Sequence, residues 1–127
     1  MDNMPERPEI LPSKTYKIKV PTSEHAVYLT ISDMTGEDGE IRPWEIFLSS
    51  KNMESFMWIT SLMRTISFVF RYAPDKTRAL LEELKTVADP KDGNYFRKGH
   101  CGCILSLVAD IATQIEKHMD SLETTDV

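Results

Sequence analysis

The stretch Arg42–Arg71, RPWEIFLSSKNMESFMWITSLMRTISFVFR, constrains this chain more than any other. Its hydrophobic period changes from that of a strand to that of a helix within a few residues, so it reads as strand, tight corner and long helix. In the strand, Trp44, Ile46 and Leu48 share one face while Glu45 and Phe47 point the other way. Beyond Met53 the apolar residues Phe56, Met57, Ile59, Met63, Ile66 and Phe70 fall at helical spacing. Ser50 or Asn52 can cap the helix, and Glu54 sits in its first turn, where the helix dipole favours an anion. The helix is apolar around most of its circumference and is expected to be central, with Phe56, Trp58, Phe68 and Phe70 as core aromatics.

The rest of the chain supplies what this unit needs to bury itself. Residues 1–13 carry Pro5, Pro8 and Pro12 and read as an extended arm. TYKIKV alternates Tyr16, Ile18 and Val20 against Lys17 and Lys19, giving a half-exposed strand that Pro21 stops. A second strand runs from about Ala26 to Met34, and TGEDGE is a hairpin loop leading to the strand Trp44–Leu48. Pro74 then breaks the long helix. Asp75 can cap a second one, which holds Leu80, Leu81, Leu84 and Val87 and ends at Asp89-Pro90. KDGNYFRKGHCGC reads as a loop, and a third helix spans about Ile104 to Met119. The order βββααα predicts an α+β fold, a two-layer sandwich in which three helices cover one face of a three-stranded antiparallel meander. One domain is expected over residues 14–120, followed by a polar, flexible tail at 121–127.

A length of 127 residues fits one domain, and 41% hydrophobic with 28% charged residues is ordinary for a globular chain. The net charge of −5 argues against a sequence-independent nucleic-acid binder, though it leaves room for a small local anion site. No apolar run is long enough to cross a bilayer, and MDNMPERPEIL is not a signal peptide. Two cysteines one residue apart cannot staple a fold, which fits a reducing compartment, so a cytoplasmic location is expected.

Two clusters have chemical content. His100, Cys101 and Cys103 could supply three zinc ligands, but no fourth has matching spacing. They could also form a redox dithiol ahead of a helix. The plainer reading is that one thiol packs at the helix entry and the other is incidental. Lys51, Arg64 and Arg71, joined by Arg42, could hold a phosphate or a partner's carboxylate, or else pair internally with Glu45 and Glu54. Glu82 and Glu83 are exposed helix charges, Ser49-Ser50 has no organised base, and neither GEDG nor GHCG has the setting of a phosphate loop. Spacing therefore indicates no active site and no cofactor.

Four stretches bear on family. RPEILPSKTYKIKVPTSEHAVYLTISD, RPWEIFLSSKNMESFMWITSLMRTISFVFR, EELKTVADPKDGNY and SLVADIATQIEKHM resemble, in order and spacing, the carboxy-terminal accessory region of adenosylcobalamin-dependent (class II) ribonucleotide reductases, related to the TSCPD domain. The likeness covers about Pro5 to Met119, and its pattern falls on Tyr16, Glu45, Lys51, Asn52, Trp58, Arg64, Ser67 and Arg71. The chain departs from it at GHCGC, where the family more often has glycines, an aromatic and Pro-Ser. The family's radical and reducible cysteines belong to a catalytic barrel and a terminal motif that these stretches do not include. The resemblance thus implies a non-enzymatic accessory or regulatory protein, binding through Lys51, Asn52, Arg64 and Arg71. Its expected partner is a reductase catalytic chain, as in reductases split over two chains. The alternative is a stand-alone, phage-borne protein that binds a host protein, nucleotide or nucleic acid. An open sheet edge beside a broad apolar helix also fits a homodimer.

Overall fold

A computed structural model describes residues 6–21, 25–51, 56–90, 94–96 and 100–124. Strands β1 (Ser13–Ile18), β2 (Val27–Thr35) and β3 (Ile41–Ser50) form an antiparallel sheet in the order β1-β2-β3. Helices α1 (Phe56–Tyr72), α2 (Thr77–Leu84) and α3 (Leu107–Thr124) follow, with a 3₁₀ turn at Pro74–Lys76. The fold is the α+β arrangement that the alternation implied, three antiparallel strands and then helices.

Register follows from which residues must leave water. Leu29 stands opposite both Tyr16 and Leu48, and Ile31 opposite Ile46, which puts the apolar set on one face. That face packs on Met63, Ile66 and Phe70 of α1, Leu81 of α2, and Ile111, Ala112 and Ile115 of α3. The other face exposes Thr15, Lys17, Tyr28, Phe47 and Ser49, while Ser32 and Glu45 toward its opposite end are buried, with Arg7 of the arm on Glu45. A bulge between Ser32 and Asp33 leaves Trp44 without an opposite residue, and its ring is buried beneath the Arg42 guanidinium, 5.8 Å from the ring centroid.

The β2–β3 loop closes through the Gly36 amide donating to the Glu40 carbonyl at 2.7 Å. Gly39, at φ 84°, takes the left-handed position that the loop needs. At the other end of the chain the arm is tied down. The Arg7 guanidinium pairs with Glu45, and the Asp33 amide donates to the Pro12 carbonyl at 2.9 Å. Helices α2 and α3 are bridged by Lys85 to Glu116 (2.6 Å) and by Arg78 to Asp120 and Glu123.

Several boundaries differ from those expected. Helix α2 stops at Leu84, well short of Pro90, and Val87 is exposed. No side chain caps it, so Asp75 does not play the expected part. Ile104 is not helical. It lies in β5 (Cys103–Ile104), which pairs with β4 (Tyr95–Phe96), so the segment read as a loop contains a short hairpin. Helix α3 starts at Leu107 after Ser106, whose Oγ accepts from the Ala109 amide at 3.1 Å, and it runs on through Thr124. Among the described residues no helix is long and apolar enough to cross a membrane.

Candidate functional site

Helix α1 lies along the outer edge of β3 and divides its circumference unevenly. Met63, Ile66 and Phe70 face the core, and Ser67 faces the strand. The opposite side bears Met57, Trp58, Phe68 and Tyr72, with Ser61 and Thr65 between them. Trp58 is 71% exposed and Phe68 58%, so the expectation that both are core aromatics is overturned. Only Phe70 of that set is shown to be buried; the side chain of Phe56 lies outside what is described. The reason is geometric. One helix can bury only the stripe that meets the sheet, and α1 carries more apolar surface than the stripe holds.

Where α1 meets β3 there is a groove of about 260 Å³, walled by Glu45–Leu48 on the strand and by Thr60, Met63, Arg64, Ser67 and Arg71 on the helix. Arg64 and Arg71 stand two turns apart along it, beside Met57 and Phe68 on the helix surface. Arg71 Nε donates to the Ser67 carbonyl at 3.2 Å, and neither arginine makes an ion pair among the described residues. The expected pairing of these cations with Glu45 does not form, because Glu45 is held by Arg7 from the arm.

The basic cluster itself is split. Lys51, at the far end of β3, belongs to a separate hollow of about 220 Å³ with Lys17, Lys19, His25, Ala26 and Tyr28. Arg42 sits near the opposite end of the same strand, over Trp44. Asn52 and Glu54 lie outside the described residues. Strand β3 separates charges that sequence proximity had grouped.

A further set was missed. His118 is buried, with Nε2 at 2.8 Å from Asp33 Oδ1 and Nδ1 at 2.6 Å from the Tyr16 hydroxyl. With Nε2–H donating to the carboxylate, a neutral ring accepts the Tyr16 O–H at Nδ1. Burial, and then the charge of Asp33, raises the Tyr16 pKa above its ordinary value. That is the wrong direction for a tyrosinate nucleophile, and none of the hollows lined by Lys51, Arg64 or Phe70 reaches these three residues. The trio is a tether of α3 to β1 and β2. Because 85 and 102 positions separate its members, no local motif announces it.

Cys101 is exposed and Cys103 half-buried in β5, both as free thiols. Among the described residues no group of three or more His, Cys, Asp or Glu is placed to hold a metal, so His100, Cys101 and Cys103 do not converge into a ligand set. A hollow of about 570 Å³ lies between the β2–β3 loop, Pro74, Asp75 and Thr77, and the end of α3. Its rim mixes Glu40, Arg42, Asp75 and Glu123, with no single sign of charge to select a ligand. Compared with protein-family models, with curated proteins and with solved structures, the chain finds no match.

Proposed function

We propose that this protein is a non-catalytic accessory module that works by docking the outward side of α1 on another protein. The observation that carries the reading is the exposure of Met57, Trp58, Phe68 and Tyr72 on one side of one helix. Aromatic and methionine side chains of this kind anchor protein interfaces, and an arginine rim beside them supplies orientation. Arg64 and Arg71 form that rim, with the groove along β3 ready to take a carboxylate-bearing side chain.

The partner is the catalytic chain of a cobalamin-dependent ribonucleotide reductase. Support for this choice is the resemblance of the chain to the segment that follows the reductase barrel. Trp58, Arg64, Ser67 and Arg71, four positions of that resemblance, all lie on α1.

Purified protein and purified reductase catalytic chain, mixed and passed through size-exclusion chromatography, test the reading. Co-elution is expected, together with a change in reductase turnover. Trp58→Ala combined with Phe68→Ala should weaken the complex at least tenfold, because central aromatic anchors each contribute about 2 kcal/mol or more. Absence of both co-elution and any effect on turnover removes the reading.

A further inference from the structure

We propose that the open face of the sheet is a platform for a short single-stranded nucleic acid, held by its phosphates at the lysine hollow and by its bases on Tyr28 and Phe47. The chain is acidic overall, yet Lys17, Lys19, Lys51 and His25 line one hollow at one end of this face. Neither Lys17 nor Lys51 pairs with an acid among the described residues. Concentrating cations against the sign of the net charge creates a local attraction for a polyanion, which is the complementarity the site offers.

The aromatics supply the second half of the recognition. Tyr28 is 43% exposed and Phe47 54%, so both rings can be reached from the open side of the sheet. Thr30 is the direct partner of Phe47, and Tyr28 lies two residues before Thr30 on β2. The two residues are therefore diagonal neighbours on one face of adjacent strands, positions whose backbones stand about 7–8 Å apart in an antiparallel sheet. Sheet-borne rings at such positions stack successive unpaired bases, and stacking of this kind tolerates any sequence. Lys17 stands directly opposite Tyr28, which places a cation beside the first ring for the phosphate of the base stacked on it.

Around the rings the face offers hydroxyls. Thr15 and Thr30 share a hydrogen bond of 2.9 Å, and Ser49 pairs with Tyr28 across the sheet. Phe47 also walls the groove beside Arg64 and Arg71, whereas the lysine hollow and Tyr28 lie apart from it, and a binding test run without the reductase chain reads this inference separately from the docking reading. A duplex is a poor fit, because its bases are stacked inward and leave the rings without partners.

The test is fluorescence anisotropy of a labelled, single-stranded oligothymidylate of about 12 nucleotides at about 20 and about 200 mM salt. Neutralising about three phosphates predicts a log–log salt slope near −2, hence about a hundredfold weaker binding across that range. Lys17→Glu with Lys51→Glu should abolish binding at the higher salt, and Tyr28→Ala with Phe47→Ala should weaken it about tenfold or more. Circular dichroism checks that these exposed substitutions leave the fold intact, and the salt slope of the unaltered protein needs no variant at all. Unlabelled duplex, thymidine monophosphate and inorganic phosphate are the competitors. No binding at low salt overturns the proposal. So does full competition by phosphate or the mononucleotide at equal phosphate concentration, which would make the hollow a simple anion site. So too does binding that the aromatic variants leave unchanged.

Discussion

Ser67 Oγ accepts the Ile46 amide hydrogen at 3.0 Å, so helix α1 takes over a backbone bond that another strand would otherwise make at the edge of β3. The same hydroxyl reaches the Ile46 carbonyl at 3.4 Å. Both residues are buried, and the bond spans 21 positions, so it fixes where the helix sits along the strand. Ser67→Ala leaves a buried N–H without an acceptor and should cost about 1–3 kcal/mol. Urea unfolding should show a lower midpoint with an unchanged slope. An unaltered midpoint would mean that water or a backbone shift satisfies the amide instead.

The Asp33–His118–Tyr16 tether joins two strands to the last helix, and it should be among the costlier polar features to break. Asp33→Ala or His118→Ala each strands a buried partner. Each should cost about 3 kcal/mol, between a lost buried hydrogen bond and a broken buried ion pair. The double variant should cost less than the sum, with a coupling of about 1–3 kcal/mol in a denaturation cycle. Strict additivity would show that the two side chains do not stabilise each other.

Stability should fall at alkaline pH, and Tyr16 should account for part of the fall. Its proton is held more tightly in the folded chain than at the ordinary value of about 10, through burial and then the charge of Asp33. A group with a raised folded pKa contributes stability that is complete below its unfolded pKa and is lost as pH rises through the folded one. Lys85 acts in the same sense. Burial opposes its charge, but hydrogen bonds to Glu116 and Glu82 and the charges of those carboxylates outweigh burial and raise its pKa. Melting temperatures measured from about pH 8 to about pH 11 should therefore decline. Tyr16→Phe, which cannot titrate there, should decline less steeply and keep only the share due to Lys85 and its like.

How much of this was legible in the sequence depends on the range of the interaction. Alternation at Tyr16, Ile18, Leu29, Ile31 and Ile46 fixes strand faces because a slip by one residue would bury lysine, and it yields the three strands and their buried side but neither the residue pairs across the sheet nor the bulge at Ser32 and Asp33. Helical spacing gave three helices in the right order. It could not say which side of α1 would remain uncovered, since Phe68 and Phe70 have the same chemistry and differ only in what lies across from them. The grouping of Lys51 with Arg64 and Arg71 failed because nearness along the chain ignored strand β3 between them. The end of α2 was placed late because Val87 continues the apolar spacing after the hydrogen-bonded helix has already stopped. His118 gave no signal, its partners being far off in sequence.

Phe68 and Phe70 provide the sharpest contrast within one helix, because two positions along α1 move a ring from water to the core. Phe70 is 1% exposed and packs with Met63, Ile66 and Leu81. Truncating it removes transfer energy and leaves a cavity, so Phe70→Ala should cost about 3–5 kcal/mol. Among the described residues Phe68 stacks on Tyr72, with ring centroids 4.7 Å apart and planes tilted by 32°. Exposed as it is, Phe68→Ala should change folding stability by no more than about 0.5–1 kcal/mol. Its effect should appear in association, as weaker binding to the proposed reductase partner and as any self-association reduced in sedimentation velocity. Paired chemical denaturation and sedimentation of the two variants therefore separate the roles. Equal losses of stability in both would place Phe68 in the folding core and deprive the docking side of α1 of its central ring.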